Sequence, residues 1–222
     1  MGWTPILEGE LADTAWTVIR GVARELAAGR AAPRDVGDAV LFWSYLAGAL
    51  EEDWVIDEQE RAYARLLEAM QEGAPSPSLY EGLAGRGWVL AHVAEPEAVD
   101  ELLQVVDAQI ANALDLLQGN YDLIYGLVGV ALYYLERGDA PSARRGLART
   151  VERLLALSER VPPGLAWFTP PERVPAVQRA TWPDGYFNCG IAHGNPGVLA
   201  LLARLDDPVA RAAAGDLARW LT

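Results

Sequence analysis

Residues 186–197 read Tyr-Phe-Asn-Cys-Gly-Ile-Ala-His-Gly-Asn-Pro-Gly and lead directly into the apolar run 198–202. Two earlier stretches show the same order of features: Ser-Leu-Tyr-Glu-Gly-Leu-Ala-Gly-Arg-Gly-Trp at 78–88, and Asn-Tyr-Asp-Leu-Ile-Tyr-Gly-Leu-Val-Gly at 120–129. Each begins with polar and aromatic residues, becomes glycine-rich and continues into an apolar helical run. Such a recurring unit is typical of a repeat architecture, which brings the same end of successive helices to one place.

Between the glycine-rich stretches, amphipathic helices are predicted to alternate with apolar ones. Hydrophobic residues recur at steps of three and four along one predicted outer helix: Val99, Leu102, Leu103, Val106, Ile110, Leu114 and Leu117. Acidic residues take much of the opposite face: Glu97, Asp100, Glu101, Asp107 and Asp115. The runs 88–93, 130–135 and 198–202 are hydrophobic on nearly every side, so we expect buried inner helices there. The alternation predicts helical hairpins that close into a ring or extend as a solenoid.

Two further patterns extend this interpretation towards the N-terminus. A degenerate fourth copy of the apolar unit is predicted at 38–48. Asp57 followed by Glu60 indicates a capping box at the start of another outer helix. About four hairpins can therefore be counted along the sequence, which we interpret as one domain over residues 1–222.

The stretch 161–185, called here the 161–185 segment, interrupts the helical rhythm. It holds many prolines together with Trp167 and Trp182. A loop of this length inside a compact domain is usually functional or disordered, and its aromatic residues argue against simple disorder. We therefore predict an ordered loop that lies over the helix ends where His193 is found.

Charge and cysteine content exclude several classes of protein. The net charge is -13 and no basic stripe is present, which argues against nucleic-acid binding. An acidic surface could attract a basic peptide, although an ordinary solubilising surface is the simpler interpretation. The single cysteine, Cys189, permits no disulfide within the chain and fits a reducing compartment. With no signal peptide and no apolar run near the ~20 residues that cross a bilayer, we expect a cytoplasmic protein.

Taken together, the three glycine-rich stretches resemble the lanthionine synthetase C-like family, the cyclases of lanthipeptide biosynthesis. Residues 186–197 resemble the family's Asn-x-Gly-Leu-Ala-His-Gly-x-x-Gly stretch, 121–129 its Asp-x-x-x-Gly-x-x-Gly stretch, and 79–85 an earlier repeat. The resemblance implies an all-α fold, an α/α toroid with inner and outer helix layers and about seven hairpins. With about four hairpins in this chain, we expect an incomplete ring that corresponds to the N-terminal part of the family fold or to a shortened homologue.

The resemblance also implies a chemistry, the addition of a peptide cysteine to dehydroalanine or dehydrobutyrine. The partner would be a dehydrated precursor peptide. By motif, His193 would be the acid–base residue and Asp122 its orienting or electrostatic partner. The helix dipole at a predicted helix start disfavours a charged imidazole at His193. The alternatives are that His193 only packs and that Asp122 is the N-cap of the helix that follows.

Other residues beside the glycines are candidates for the substrate cavity. Those we assign to it are Tyr80, Glu81, Arg86, Tyr125, Tyr186 and Asn188. The tyrosines would form an aromatic rim for a peptide, or else pack adjacent repeats together. The two charged residues would line the cavity, or else be solvated in their loop. Cys189 is expected to be a buried apolar residue, and His92 a satisfied core histidine.

The zinc-binding segments of the family are the main point on which this sequence departs from the family it resembles. The family binds zinc through a Trp-Cys-x-Gly segment and a later Cys-His-Gly segment, and this sequence contains neither. A catalytic zinc needs about three protein ligands, so we predict no metal and no other cofactor for this chain alone. The missing ligands would lie beyond residue 222 or on a partner, or the protein would work without zinc. An incomplete ring is also expected to expose core edges and to associate with itself or with a missing C-terminal half.

Three hypotheses for function follow. The first is a lanthionine-forming cyclase that is incomplete as it stands, so whether the chain alone is an enzyme stays open. The second is a non-catalytic peptide-binding or scaffold module of the same fold. The third is an α/α-toroid enzyme of different chemistry, with Asp122 as a general acid and a second carboxylate facing it.

Overall fold

The computed structural model describes residues 6–30, 35–74, 76–117 and 119–222. In these parts the chain forms nine α-helices: α1 (Gly9–Ala27), α2 (Val36–Ala49), α3 (Asp53–Glu72), α4 (Leu83–Val93), α5 (Pro96–Ala113), α6 (Leu127–Glu136), α7 (Pro141–Ala156), α8 (Asn195–Leu202) and α9 (Pro208–Leu221). One short antiparallel pair of strands, β1 (Glu159–Val161) and β2 (Gly164–Ala166), joins α7 to the long connection before α8. No described helix is both long enough and apolar enough to cross a membrane.

The chain divides into two compact units, and the boundary after Leu66 falls within α3. In the first unit, the apolar helix α2 begins at a capping box between Asp35 and Asp38. The buried ring of Trp43 meets the rings of Phe42 and Trp54 edge to face. The predicted capping box at Asp57 is wrong, because α3 already begins at Asp53 and Asp57 lies inside the helix.

The second unit, Leu67–Thr222, contains three successive helical hairpins. Helix α6 packs against α4 on one side and α8 on the other, and each of these pairs with the helix that follows it in sequence. The outer helices α5, α7 and α9 contact one another in the same order. The predicted alternation of buried inner helices and half-exposed outer helices is therefore what the structure shows.

One buried carboxylate fixes the packing of α5, α6 and α7. Asp107 is almost fully buried; its carboxylate accepts hydrogen bonds from the Tyr133 hydroxyl at 2.6 Å and the Ser142 hydroxyl at 2.6 Å. The Tyr134 hydroxyl donates to the Asp107 backbone carbonyl at 3.1 Å. The expectation that Asp107 lies on a solvated face is thus wrong, because two hydroxyl donors and the Arg137 guanidinium group, 3.4 Å from its carboxylate, compensate the cost of burying it.

The 161–185 segment begins in the β1–β2 pair and then makes two short 3₁₀ turns, Pro171–Arg173 and Ala176–Gln178. The Trp167 side chain is fully buried, and its ring nitrogen donates to the Leu154 carbonyl at 2.8 Å. Two backbone hydrogen bonds then pair Thr169 with Tyr186, so the chain folds back on itself before it enters α8. Buried side chains and backbone pairing hold this segment in place.

Candidate active site

The three inner helices of the second unit start in the same way. The first helical N–H donates to the carbonyl seven residues earlier in each case: Leu83 to Ser76 at 2.9 Å, Leu127 to Asn120 at 2.9 Å, and Asn195 to Asn188 at 2.8 Å. The N-cap residue is a glycine with extended backbone each time: Gly82, Gly126 and Gly194. The residues just before these glycines, Glu81, Tyr125 and His193, therefore occupy equivalent positions in three repeats.

A glycine in the first turn of each inner helix lets the preceding loop fold closely over the helix end. A Cβ atom on Gly129 would lie 2.2 Å from the Leu123 carbonyl oxygen, and one on Gly197 would lie 2.3 Å from that of Ile191. Real Cβ atoms do not approach oxygen so closely, so these positions require glycine. The glycine-rich character of the sequence thus has a packing cause.

Backbone hydrogen bonds join each loop to the next, and their acceptors occupy equivalent positions, two residues before the N-cap glycine. The Tyr80 N–H donates to the Ile124 carbonyl at 2.9 Å, and the Leu123 N–H donates to the Ala192 carbonyl at 3.1 Å. Each loop is therefore in register with the next. This register brings residues that are far apart in sequence to neighbouring places at one end of the inner helices.

His193 and Asp122 meet at this end. The His193 Nδ1 atom lies 2.7 Å from Asp122 Oδ2, and Asp122 Oδ1 accepts the Tyr125 backbone N–H at 2.6 Å. The Asp122 side chain is 10% exposed, whereas the His193 side chain is 51% exposed. A neutral ring that donates from Nδ1 to the carboxylate has its lone pair on Nε2, and the structure gives Nε2 no partner among the described residues. The pair thus combines a buried, oriented carboxylate with an accessible ring nitrogen.

Neither residue is a helix cap. Gly126 is the N-cap of α6, and Asp122 instead closes the turn before it through its bond to Tyr125. His193 directly precedes the N-cap Gly194. The alternative that Asp122 caps the following helix is therefore wrong.

A row of rings crosses the three repeats. Tyr80 meets Tyr125 edge to face with ring centroids 5.8 Å apart. Tyr125 in turn stacks on the His193 ring at 6.1 Å with an interplanar angle of 21°. The imidazole is thus held by a carboxylate at one nitrogen and by a tyrosine ring against its face.

A cavity of about 550 Å³ opens beside this pair. Its lining includes five of the eight residues that the sequence suggested: Asp122, Tyr125, Tyr186, Asn188 and His193. The remaining lining residues are Leu116, Leu117, Asn120, Tyr121, Phe168, Thr169, Pro170, Arg173, Pro175 and Gln178. Since six of these ten belong to the 161–185 segment, that segment supplies a wall of the cavity.

The other three suggested residues lie elsewhere. Tyr80 does not line the cavity, but its ring contacts that of Tyr125, which does. Arg86 donates to the carbonyls of Ala69 and Gly73 at 2.8 and 2.9 Å, so its guanidinium group binds the end of α3. Glu81 is exposed, with a positive φ of 54°. Their position beside the glycines was a sound reason to consider them, but the side chains of Glu81 and Arg86 do not line this cavity.

Asn195 is a structural residue of the site that the sequence interpretation missed. It is fully buried, and its side chain accepts from the Trp167 N–H at 2.8 Å and donates to the Trp167 carbonyl at 3.0 Å. The same amide group donates to the Asn188 carbonyl at 3.1 Å. One side chain therefore fixes both the cavity wall and the loop that carries His193. A polar residue at the first position of an otherwise apolar helix was the available signal.

Tyr121 links the repeats to the same wall. Its hydroxyl lies 2.9 Å from the Thr169 hydroxyl, and burial raises the pKa of the Tyr121 phenol above its ordinary value. The phenol therefore stays protonated to a higher pH than an exposed tyrosine does.

Two expectations about single residues are wrong. Cys189 is exposed rather than buried, and it lies in a second cavity with Phe168, Trp182 and Phe187. His92 is not a core residue: it is exposed in the last turn of α4, where its ring bonds to Glu136 at 2.8 Å and stacks on Trp88.

The residue types that could bind a metal do not cluster in the described parts of the chain. Across the described residues there is no group of three or more His, Cys, Asp or Glu side chains that could hold a metal ion. Cys189 and His193, four residues apart, both precede α8 and do not share a helical turn.

Known proteins share the sequence features and the architecture of this chain. A family model described as lanthionine synthetase C-like protein matches residues 38–219. Among solved structures, a nisin cyclase superposes with a TM-score of 0.72 and 18% sequence identity, over 95% of this chain and 57% of that chain. No curated protein matches the sequence.

Because the sequence identity is low, the structural likeness shows the fold alone, and it confirms the all-α toroid class that the family resemblance implied. This chain spans little more than half the length of the cyclase. The family model covers most of the sequence, including all three glycine-rich repeats and every residue that lines the His193 cavity. The chain belongs to the lanthionine synthetase C-like family.

Proposed function

We propose that this chain carries the acid–base site of a thioether-forming cyclase. The substrate is a dehydrated precursor peptide, in which a cysteine thiol adds to dehydroalanine or dehydrobutyrine. The observation that carries the proposal is the 2.7 Å contact between His193 Nδ1 and Asp122 Oδ2 at the edge of an open cavity. Family membership supports the same reaction class.

The geometry suits a proton that is first removed and then returned. His193 Nε2 accepts the proton of the peptide thiol, and the sulfur bonds to the β-carbon of the dehydro residue. The π electrons of the C=C bond move towards the carbonyl and form an enolate. The imidazolium then gives its Nε2 proton to the α-carbon, which completes the thioether and restores the neutral ring.

Asp122 acts through the ring in this scheme. Its carboxylate fixes the Nδ1–H tautomer and stabilises the imidazolium that forms between the two proton transfers. Tyr125 holds the carboxylate by its backbone N–H and the ring by its aromatic face. Neither residue needs to touch the reacting atoms.

The described residues around His193 do not fit a zinc site. His193 Nδ1 is committed to Asp122, and the described residues offer no cluster of three ligands around it. The proton transfers of His193, and the support that Asp122 lends them, hold whether or not residues outside this sequence bind a metal.

A synthetic peptide with a cysteine and a dehydroalanine a few residues apart tests the proposal. Ring closure consumes the thiol without changing the mass, so blocking the remaining thiols with N-ethylmaleimide before mass spectrometry measures it. Replacing His193 by Ala should lower the rate by about 10²–10⁴-fold, the range for a positioned acid–base group.

His92→Gln is the matched control, because His92 is the other histidine of the sequence and lies outside the cavity. It should leave the rate unchanged. A His193→Ala protein as fast as the wild type, or a wild-type protein no faster than the uncatalysed reaction, would refute the proposal.

A non-catalytic peptide-binding module is the second candidate. The exposed ring of Trp182 favours it, together with Phe168, Tyr186 and Phe187 around a cavity of about 530 Å³. This candidate predicts peptide binding that His193→Ala leaves intact and no thiol consumption by the wild type. The third hypothesis finds no support in the cavity lining, where Asp122 is the one carboxylate among the described residues and already bonds to His193.

A further inference from the structure

Arg173 introduces a permanent positive charge into the His193 cavity. Among the described lining residues, the carboxylate of Asp122 and the imidazole of His193 are the other groups that can carry a charge near neutral pH. These two groups bond to each other. The guanidinium group of Arg173 makes no hydrogen bond or salt bridge with any residue that the structure describes. The positive charge of Arg173 therefore lies beside the site without a carboxylate in contact with it among the described residues.

The backbone around Arg173 is ordered before any ligand arrives. The Arg173 N–H donates to the Pro170 carbonyl at 2.9 Å, and the Val174 N–H donates to the Pro171 carbonyl at 3.2 Å. Val174 is buried, and Arg179 Nε donates to its carbonyl at 3.0 Å. Prolines restrict φ at this turn, so little further ordering of the backbone is needed on binding.

The position of the guanidinium group is also defined. Its two terminal nitrogens lie 3.4 Å from the place where Gly119 would carry a Cβ atom. Gly119 has a φ of +78°, so glycine is favoured there for its backbone as well. The group thus lies close to Gly119, where the Leu157 side chain also approaches, and neither residue offers a side-chain acceptor that would occupy its N–H donors.

We propose that Arg173 binds a carboxylate of the substrate peptide close to the reacting residue and so selects peptides that carry one. The planar fork of N–H donors matches the two oxygens of a carboxylate. With a protein net charge of -13, an acidic peptide gains nothing from the overall field, so selection must come from a local cation of this kind. The inference rests on the proposed function of the His193 site, which it deepens.

Four short peptides distinguish the sources of the carboxylate. Three have the form acetyl-Ala-Xaa-dehydroalanine-Xaa-Ala-amide, with Glu, Gln or Lys at Xaa. The fourth is the Gln peptide with a free C-terminal carboxylate. Calorimetric titration of the wild type should show the Glu peptide binding about fivefold more tightly than the Gln peptide, the effect of one partly exposed ion pair. Tighter binding of the fourth peptide instead would identify the C-terminus as the carboxylate.

Two variants tie the preference to one side chain. Arg173→Gln should bind the Glu and Gln peptides equally, and Arg173→Glu should prefer the Lys peptide. Arg204→Gln is the matched control, because Arg204 is an exposed arginine that does not line the cavity. It should keep the wild-type ratio, and circular dichroism checks that all variants fold.

The outcomes separate this inference from the function on which it rests. Equal binding of all peptides to the wild type, or a preference that survives Arg173→Gln, overturns the role of Arg173. Binding of none of them overturns it as well. Thiol consumption with a neutral peptide then decides independently whether His193 catalyses the addition.

Discussion

At the scale of single residues, the two histidines of the chain make the same kind of bond to a carboxylate but lie in different surroundings. Each ring bonds through Nδ1 to a carboxylate, His193 to Asp122 and His92 to Glu136. The Asp122 side chain is buried, whereas that of Glu136 is 31% exposed. His193 lines a cavity and His92 does not. Burial of the partner and access to a cavity, rather than the contact itself, separate a candidate catalytic pair from a surface pair.

Asp122→Asn should change the tautomer of His193. The wild-type ring is expected to carry its proton on Nδ1, because that atom donates to the carboxylate. An asparagine can donate to Nδ1 instead, which moves the ring proton to Nε2. Two-dimensional ¹⁵N NMR of the imidazole nitrogens measures this directly, and with two histidines in the sequence the spectrum is simple.

Glu136→Gln is the control for that experiment. It should alter the signals of His92 and leave those of His193 as in the wild type. If Asp122→Asn leaves the His193 signals unchanged, the carboxylate does not set the tautomer, and the orienting role fails.

The resemblance to the family's motifs predicted that His193 and Asp122 lie together, whereas residue type and periodicity misjudged the burial of two other residues. The pair followed from two motifs that share a repeat, and the repeats are in register. Asp107 and Cys189 were assigned to the wrong environments, because hydrophobic periodicity places polar residues outside and small apolar ones inside. Whether a carboxylate can be buried depends on donors such as Tyr133 and Ser142, which come from other helices.

At the scale of helices and loops, the inner-helix glycines determine how closely each loop covers its helix. Gly129→Ala should destabilise the protein by about 2–3 kcal/mol, the range for overpacking at a site that cannot relax easily. A Cβ there would meet the Leu123 carbonyl at 2.2 Å and Leu79 Cβ at 2.7 Å. Urea unfolding followed by circular dichroism measures the change.

Gly48→Ala is its counterpart in a helix with free space. Nothing lies within 4 Å of a Cβ at Gly48, so alanine should stabilise the helix by up to about 1 kcal/mol. Equal effects of the two substitutions would contradict the packing role of Gly129.

Asn195→Ala should loosen the wall of the cavity. The change leaves the buried N–H and carbonyl of Trp167 without partners, at a cost of about 1–3 kcal/mol for each unsatisfied group. Limited trypsin digestion should then cut faster after Arg173 and Arg179, which lie in the 161–185 segment.

Asn112→Ala on the exposed side of α5 is the control and should digest like the wild type. Unchanged cleavage in Asn195→Ala would show that other contacts hold the segment. His193 signals offer a second measurement, since Asn195 also binds the Asn188 carbonyl.

The sequence predicted the elements more reliably than the connections between them. Alternating apolar and amphipathic runs indicated the inner and outer helices, because periodicity depends on local burial. The start of α3 at Asp53 was missed, since a capping pattern such as that at Asp57 also occurs inside helices. The path of the 161–185 segment depends on distant partners, such as Tyr186 for Thr169 and Asn195 for Trp167, which no local pattern encodes.

At the scale of the whole molecule, alkaline pH should weaken the fold through its buried tyrosines. Burial raises the pKa of Tyr121, Tyr133 and Tyr134 above the ~10 of an exposed phenol. The unfolded chain therefore loses these protons first, and the stability that the neutral phenols contribute is complete below pH ~10 and declines above it. The sequence contains no lysine, so few other groups titrate in this range.

The measurement is the free energy of urea unfolding between pH 8.5 and 11. Tyr133→Phe should make its decline shallower by about 1.4 kcal/mol per pH unit at the alkaline end, the contribution of one proton. A wild-type stability that does not depend on pH above 10 would contradict the buried network.

Because Glu81, Tyr125 and His193 occupy equivalent positions, the backbone could hold a histidine–aspartate pair between more than one pair of adjacent repeats. Asp122 stands four residues before one N-cap glycine, and Ser78 stands four residues before the previous one. In a variant with both Ser78→Asp and Tyr125→His, the same acid–base pair should therefore form between the first and second repeats. The third histidine would then give an imidazole NMR signal with the proton on Nδ1. The fold and the reactive residues of such a protein can be changed separately. The main chain forms equivalent positions in every repeat, and two side chains determine which of these positions carries the acid–base pair.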